Sequence, residues 1–196
     1  MTSSGEATAG KILEAARQLI MRRGYSGFSY ADIAEAVDIR KASIHHHFPT
    51  KADLAIAVMK HHREIFDTDM AALQASGADA LAQLRAYFGH WERCIADDSA
   101  PFCVAGMLGA ELPALPEDVA QEVSAYFRNF DKWLEDVLEE GAKSHQLHFK
   151  GTAKSETKML ISLIYGAMLA ARAHGDPGLF KEVASNSIAQ LTRASS

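Results

Sequence analysis

The sequence is poor in the features that mark secreted and membrane-spanning proteins. Its 196 residues include only two cysteines, Cys94 and Cys103, which are too few for a disulfide framework. The longest apolar run, residues 159–171, is interrupted by Ser162 and Gly166 and is too short to span a bilayer. The N-terminus has no charged and then apolar leader, so we expect a cytoplasmic protein without a membrane segment.

Patterns typical of catalysis, cofactor binding and metal binding are also missing. We find no glycine-rich phosphate loop, no paired Glu-x-x-His and no Ser/His/Asp spacing, and we therefore predict neither an enzyme nor a cofactor. The run His45-His46-His47 suggests a metal, but consecutive residues of a helix point about 100° apart, so the three cannot face one ion. We predict no metal site.

The sequence does contain enough apolar residues for a buried core and an uneven distribution of charge. Hydrophobic residues make up 48% of the chain, which suits one or two small domains. Residues 1–51 carry seven Lys and Arg against five Asp and Glu, whereas the whole chain has a net charge of −5. A basic N-terminal part on an acidic remainder favours DNA binding at one end.

Residues 29–51, SYADIAEAVDIRKASIHHHFPTK, predict two short helices joined by a tight turn. The first covers residues 30–37 and the second residues 40–47, after which Pro49-Thr50-Lys51 starts a third helix. With an amphipathic helix over residues 11–23, they would form a helix-turn-helix head whose second helix enters the DNA major groove. An ordinary pair of packed helices with solvated charges is the alternative on this pattern alone.

The segment resembles the DNA-binding domain of TetR-type transcriptional repressors. That family's two helices read T-V-x-D-I-A-x-x-A-G-V and S-K-G-T-L-Y-H-H-F-x-S-K, and residues 32–37 and 40–51 follow this pattern. The preceding residues 24–29 match the family's R-G-Y-x-x-T-S. The chain departs from the pattern at Asp38 in place of Gly, at Arg40 in place of Ser and at His45 in place of Tyr, and these differences concern the operator sequence rather than the fold.

The resemblance implies an all-α protein of two domains. Residues 1–51 would form the three-helix helix-turn-helix DNA-binding domain, and residues 52–196 a helical ligand-binding and dimerisation domain. Within the first domain, the Ser, Gly, Thr and Ala content of residues 1–10 predicts a disordered tail. The implied function is that of a homodimeric repressor that binds double-stranded operator DNA and is released by a small apolar or electrophilic effector. The predicted DNA-binding residues are Ser29, Tyr30, Arg40, Lys41, Ala42, Ser43, His45, His46 and Lys51.

The remaining residues predict five further helices after a long one that begins at Lys51. They cover residues 79–95, 101–112, 116–141, 159–171 and 179–191. The fourth of these helices, residues 159–171, is apolar on nearly every face, so other parts of the protein must bury it on every side. In the resembling family the last two helices pair with their partner-chain copies, which would provide that cover; a central helix in a monomer is the alternative.

Aromatic and thioether side chains of the second domain have two interpretations. Such residues most often form a core, but in the resembling family they line an apolar cavity that binds a small effector. The predicted pocket residues are Tyr87, Phe88, Trp91, Cys103, Met107, Phe127, Phe130, Trp133, Tyr165 and Met168.

Cys103 is a candidate redox or electrophile sensor. The segment PFCVAGMLGAEL, residues 101–112, resembles a branch of the family that has a cysteine at the start of this helix and responds to electrophiles and oxidants. With Pro101 near the first helical position, Cys103 would lie in the first turn, where the helix dipole favours a thiolate. A lysine of that branch corresponds to Arg172, which can stabilise a thiolate but is a poor nucleophile. A buried Cys103 that serves as a small hydrophobe is the alternative.

Two further functions stay open at this stage. The chain could be an α-helical small-molecule-binding protein or enzyme that regulates no DNA, or a DNA-binding factor that has no effector. Operator binding in the presence and absence of small molecules separates these hypotheses.

Overall fold

The computed structural model describes residues 3–193, and over this range the regular structure is helical, without strands, as predicted. The α-helices are α1 (Ser3–Arg23), α2 (Tyr30–Val37), α3 (Lys41–His47), α4 (Lys51–Ala75), α5 (Ala80–Ala96), α6 (Val104–Ala110), α7 (Glu117–Lys143), α8 (Ala153–His174) and α9 (Gly178–Leu191). A short 3-10 helix at Leu112–Ala114 separates α6 from α7. Within residues 3–193 no helix is both long and apolar enough to cross a membrane.

The helices pack into two compact units. The first contains the chain up to residue 65 together with residues 103–126, and the second contains residues 66–102 and the chain from residue 127. Helix α6 and the first part of α7 therefore pack with the helix-turn-helix residues. The domain boundary at residue 51 stays a prediction, and the packing units divide the chain elsewhere.

Helix α2 begins and ends at the predicted residues, because side-chain hydrogen bonds fix its start and the backbone conformation of Asp38 fixes its end. Ser29 caps it by accepting a hydrogen bond from the Ala31 N–H at 3.2 Å, while the Asp32 carboxylate accepts from the Ser29 N–H at 2.8 Å. Asp38 ends the helix in the left-handed region at φ 55. Ile33 of α2 and Ile44 of α3 are fully buried, and each stabilises the head by about 1.5–3 kcal/mol.

The prediction of a disordered tail is wrong for residues 3–10, because α1 begins at Ser3; residues 1 and 2 lie outside the described range. Ile12, Ala16 and Ile20 of α1 form a buried stripe, and their packing stabilises the middle of the helix. Once a helix has formed, each further residue at its end adds a backbone hydrogen bond at a small cost in conformational entropy. Glu6 in the first turn is also favourable at the positive end of the helix dipole.

Helix α6 is shorter than predicted, since it begins at Val104 rather than at residue 101. The four consecutive residues 102–105 are all buried. Successive residues of a helix point in different directions, so one helical face cannot bury four of them in a row. The backbone is instead extended at Cys103, with φ −65 and ψ 130, and Cys103 is the N-cap rather than part of the first turn.

The second unit is held together by a leucine-rich core. Its members come from α5, α7, α8, α9 and the loop after α7, and include Leu84, Leu134, Leu138, Leu147, Leu160 and Leu191. Helix α7 continues past Gly141, where the sequence predicts its end, to Lys143. A Cβ at Gly141 would lie 2.3 Å from Leu147 Cδ1, so this glycine allows the close approach of the following loop.

Candidate functional site

Helix α3 presents polar and small residues to solvent above one buried anchor. Arg40 is its N-cap, Ile44 is fully buried, and Ser43 is half-buried. The exposed residues are Arg40, Lys41, Ala42, His45 and His46. Two permanent cations and two imidazoles on one short exposed helix suit contacts with phosphates and base edges.

His45 is held in a defined orientation. Its Nδ1 lies 3.2 Å from the carbonyl oxygen of Pro49, and its ring centroid lies 4.8 Å from that of Tyr30. Because a carbonyl oxygen only accepts, Nδ1 carries the hydrogen of this bond, and Nε2 is the ring nitrogen left for another partner. The ring is therefore held in place, and its contact with a base edge stays a prediction.

Three other residues predicted to contact DNA make hydrogen bonds within the helix-turn-helix head in this structure. Tyr30 Oη lies 2.9 Å from the Phe48 carbonyl oxygen and 2.6 Å from that of Thr50, and burial, with a smaller contribution from Asp53, raises its pKa to about 12. The Lys51 ammonium donates to the Phe28 carbonyl and lies 4.1 Å from the Phe28 ring centroid. Its pKa is lowered by burial.

Ser29 is the third of these residues, and its hydroxyl belongs to the cap of α2: besides accepting from Ala31 it donates to Asp32 Oδ2 at 2.7 Å. The contribution of Ser29, Tyr30 and Lys51 to DNA binding stays a prediction, whereas their structural contacts position α2 and α3.

Cys103 is fully buried and has a histidine beside it. Its Sγ lies 3.8 Å from His62 Nε2, and the His62 ring centroid is 4.9 Å from that of Tyr126. The pairing of His62 with the thiol is not among the predictions from the sequence. The available signal was its position four residues after buried Val58 on α4, which places it on the inward face.

Arg172 is exposed on α8, and its guanidinium carbon lies 6.0 Å from the ring centroid of Phe102. Phe102 directly precedes Cys103 in the chain. The proposed link between Arg172 and the thiol remains a prediction.

Four aromatic rings of the second unit form a cluster, which we call the ring cluster: Phe66, Tyr87, Phe130 and Trp133. Phe130 and Trp133 are stacked, with centroids 5.9 Å apart and an interplanar angle of 13°. Tyr87 lies 5.1 Å from Phe130, and Phe66 meets Trp133 edge-on at 5.7 Å. Phe66 is not among the predicted pocket residues, although its spacing of eight residues from buried Val58 indicates an inward position.

The other predicted pocket residues lie apart from this cluster or at its edge. Phe88 lies 6.5 Å from Phe180, and Phe127 lies 5.4 Å from Tyr165, in each case between centroids. Trp91 and Met168 are buried in the second unit, whereas Cys103 and Met107 belong to the first unit. The structure thus brings three of the ten predicted residues into one aromatic group.

One face of α8 exposes large apolar and small residues. Met159 is 65% and Leu169 59% exposed, and a Cβ at Gly166 would meet no atom of the described residues within 4 Å. Beside Met159 a cavity of about 440 Å³ is lined by residues of α8, α9 and the loop before α8, among them Leu163 and Gln190. This surface has the composition of a helix-packing interface.

Both parts of the chain match known families. Residues 12–58 match the family described as bacterial regulatory proteins, tetR family, and residues 80–186 match the tetracyclin repressor-like C-terminal domain. The second match alone covers more than half of the chain.

Related proteins agree with these matches. The structure of a transcriptional regulator of the TetR family from Agrobacterium tumefaciens has 45% sequence identity and a TM-score of 0.92, over 96% of this chain and 100% of that chain. A TetR transcriptional regulator from Legionella pneumophila has 30% identity and a TM-score of 0.82, over 92% and 94%. The HTH-type transcriptional repressor NemR of Escherichia coli strain K12 is 25% identical over 84% of each chain. Since its N-terminal and C-terminal parts both match, the chain belongs to the TetR family of bacterial transcriptional regulators.

Proposed function

We propose that the protein is a homodimeric cytoplasmic repressor that binds operator DNA through α3 and releases it when a small molecule binds or modifies the second half of the chain. The observation that carries this proposal is the exposure of Arg40, Lys41, His45 and His46 on α3, a short helix anchored by buried Ile44. Long cationic donors fix the register on phosphates, and the oriented imidazole of His45 reads a base edge.

The exposed face of α8 supports a homodimer. Met159, Ser162, Gly166 and Leu169 recur at intervals of three or four residues, so they share one face, and each is exposed. Packing of this helix against a second copy of itself would bury two large apolar side chains, which is favourable. The small residues beside them allow the two helices to approach closely. A dimer also supplies the second recognition helix that a two-fold operator requires.

The ring cluster supports a ligand site in the second unit. The indole Nε1 of Trp133 is buried and has no hydrogen-bond acceptor among residues 3–193. A buried N–H without an acceptor is costly, and a ligand that brings a carbonyl or ether oxygen removes this cost. We therefore propose an effector with a flat apolar body and a hydrogen-bond acceptor.

Cys103 and His62 support a second, covalent route to release. In this proposal His62 Nε2 takes the thiol proton, and the thiolate forms a C–S bond with an electrophilic alkene carbon. The electron pair of the alkene then takes up the proton from His62, so the adduct is neutral. The added group has to be accommodated where Cys103 is fully buried, so modification displaces the start of α6.

Selection of bound fragments from the chain's own genome, followed by footprinting, tests this function. We expect a two-fold site whose half-site centres lie about 34–36 Å apart or a multiple of that, occupied by one dimer in sedimentation. A monomer on the operator at micromolar concentration would contradict the homodimer, and the absence of any enriched fragment would favour a small-molecule-binding protein instead.

The effector part of the proposal needs a separate measurement. The operator complex is treated with N-ethylmaleimide and with a panel of aromatic carbonyl compounds. Release by either class supports an effector-controlled repressor. Full operator binding in the presence of all of them favours a DNA-binding factor without an effector.

A further inference from the structure

Glu111, at the C-terminal end of α6, binds the turn that joins α1 to α2. Its Oε2 accepts hydrogen bonds from the backbone N–H of Tyr25 at 3.0 Å and of Ser26 at 3.3 Å. The partners are more than eighty residues apart in sequence but belong to the same packing unit. A charged acceptor that binds two adjacent backbone donors fixes the position of that turn more firmly than a neutral one.

The other oxygen of this carboxylate occupies a space that only glycine leaves free. Gly24 is buried and has φ +76, and a Cβ placed on it would lie 1.7 Å from Glu111 Oε1. The backbone conformation disfavours a side chain at residue 24, and a Cβ there would force the Glu111 carboxylate out of its observed position. The turn and the Glu111 side chain are fitted to each other.

The turn that Glu111 holds leads directly into the helix-turn-helix. It continues into Phe28, whose carbonyl accepts from the Lys51 ammonium, and into Ser29, which caps α2. The Glu111 carboxylate also acts electrostatically on Lys51. A shift of the turn would therefore move the start of α2 and, through the contacts of α2 with α3, the recognition helix.

We propose that Glu111 is a positioning residue for DNA binding, which fixes the α1–α2 turn and so makes operator affinity depend on the position of α6. Cys103 caps the opposite end of this seven-residue helix. Displacement of α6 at Cys103 pulls Glu111 from the turn, and this second step rests on the function proposed above.

The test compares Glu111→Ala, Glu111→Gln and Glu117→Ala in the full-length protein. We expect Glu111→Ala to weaken operator binding about tenfold, since hydrogen bonds to a charged acceptor are lost, and to speed amide exchange at Tyr25 and Ser26. Removal of a negative charge alone would instead tighten binding to DNA phosphates. Glu117→Ala, which removes an exposed charge from the same unit, should therefore bind as tightly as wild type or slightly tighter.

Glu111→Gln keeps an oxygen acceptor without the charge, and we expect its operator affinity to stay within about threefold of wild type. It also decides the case if Glu111→Ala fails to fold: a loss of operator affinity of about two- to threefold at unchanged thermal stability supports the positioning role, and operator affinity equal to wild type overturns it. Operator affinity of Glu111→Ala equal to wild type, with unchanged exchange at Tyr25 and Ser26, overturns the proposal.

A third comparison separates this proposal from the function on which it rests. Failure of N-ethylmaleimide to release wild-type protein refutes the sensor role of Cys103, whereas full operator affinity in Glu111→Ala refutes the positioning role of Glu111. When both hold, the ratio of operator affinities before and after N-ethylmaleimide treatment should be smaller in Glu111→Ala than in wild type.

Discussion

The hydroxyl oxygen of Tyr30 lies 2.9 Å from the carbonyl oxygen of Phe48, so a side chain of α2 binds the residue that ends α3. This hydrogen bond fixes the recognition helix against the rest of the head at the end that does not carry Arg40. The same contact therefore contributes to the free energy of unfolding and positions the DNA-binding surface.

Tyr30→Phe should lower the free energy of unfolding by about 1 kcal/mol, because one partly buried hydrogen bond is lost. The pKa of Tyr30 is raised to about 12, mainly by burial, so the neutral phenol is favoured in the folded state. Its contribution is present below the unfolded pKa of about 10 and is lost as the pH rises through about 12. Urea unfolding between pH 8 and 12 should show the difference between wild type and Tyr30→Phe shrinking above pH 10, and a constant difference would contradict this cause.

Lys41→Ala should weaken binding to operator and to unrelated DNA by similar factors. The ammonium is exposed on α3 and carries no base-reading geometry, so its loss removes one phosphate contact. Affinity measured against salt concentration should give a slope smaller by about one. Lys154→Ala, which removes another exposed cation, at the start of α8, is the control and should leave the slope unchanged.

His45→Ala should instead reduce discrimination between operator and mutated operators. Nε2 of His45 is oriented by the Nδ1 contact with Pro49, and a lost base contact costs about 1–3 kcal/mol at one base pair. Competition with operators substituted at each position measures this effect. A uniform loss at all positions would assign His45 to phosphate binding.

Modification of Cys103 should release operator slowly and should depend on His62. Cys103 is fully buried whereas Cys94 is partly exposed, so N-ethylmaleimide should label Cys94 first without release. His62→Gln should slow labelling of Cys103 at least about tenfold, since the proton acceptor is removed. Mass spectrometry of Cys94→Ser and Cys103→Ser, sampled along the release curve, follows each thiol; equal release of both variants would exclude Cys103 as the sensor.

Leu169→Glu should convert the dimer to a monomer and abolish high-affinity operator binding. Leu169 is 59% exposed on α8, and a carboxylate buried against a second copy is strongly unfavourable. Gln74→Glu on α4, also at an exposed residue, controls for the added charge. Sedimentation velocity decides the outcome, and a Leu169→Glu dimer would place the interface elsewhere.

The local features of the fold were predictable where neighbouring residues determine them. Helix α2 was predicted at its observed bounds, since Ser29 caps its start and Asp38 ends it. The prediction was wrong at the start of α6, because proline chemistry suggested residue 101 while the burial of residues 102–105 decided the backbone. Tertiary packing overrode the local signal there.

The candidate site was predictable only for residues whose direction follows from one helix. The exposure of Ala42, His45 and His46 follows from the phase of α3 around Ile44, whereas Arg40 and Lys41 are exposed because they stand at the N-terminal end of the helix. The pairing of His62 with Cys103 and of Glu111 with the turn at Tyr25 joins residues far apart in sequence. A single sequence can place His62 on the inward face of α4, but it does not identify the partner in either pair, because many arrangements of the same helices satisfy its hydrophobic pattern.

The fit of the Glu111 carboxylate into the space beside Gly24 has a consequence for the descent of this protein. Glycine at residue 24 is favoured by φ +76 whatever stands at residue 111, but the bound carboxylate needs that glycine. The dependence therefore runs in one direction. Among homologues we therefore expect an acid bound in this way only where residue 24 is glycine, whereas glycine at residue 24 is expected with or without the acid.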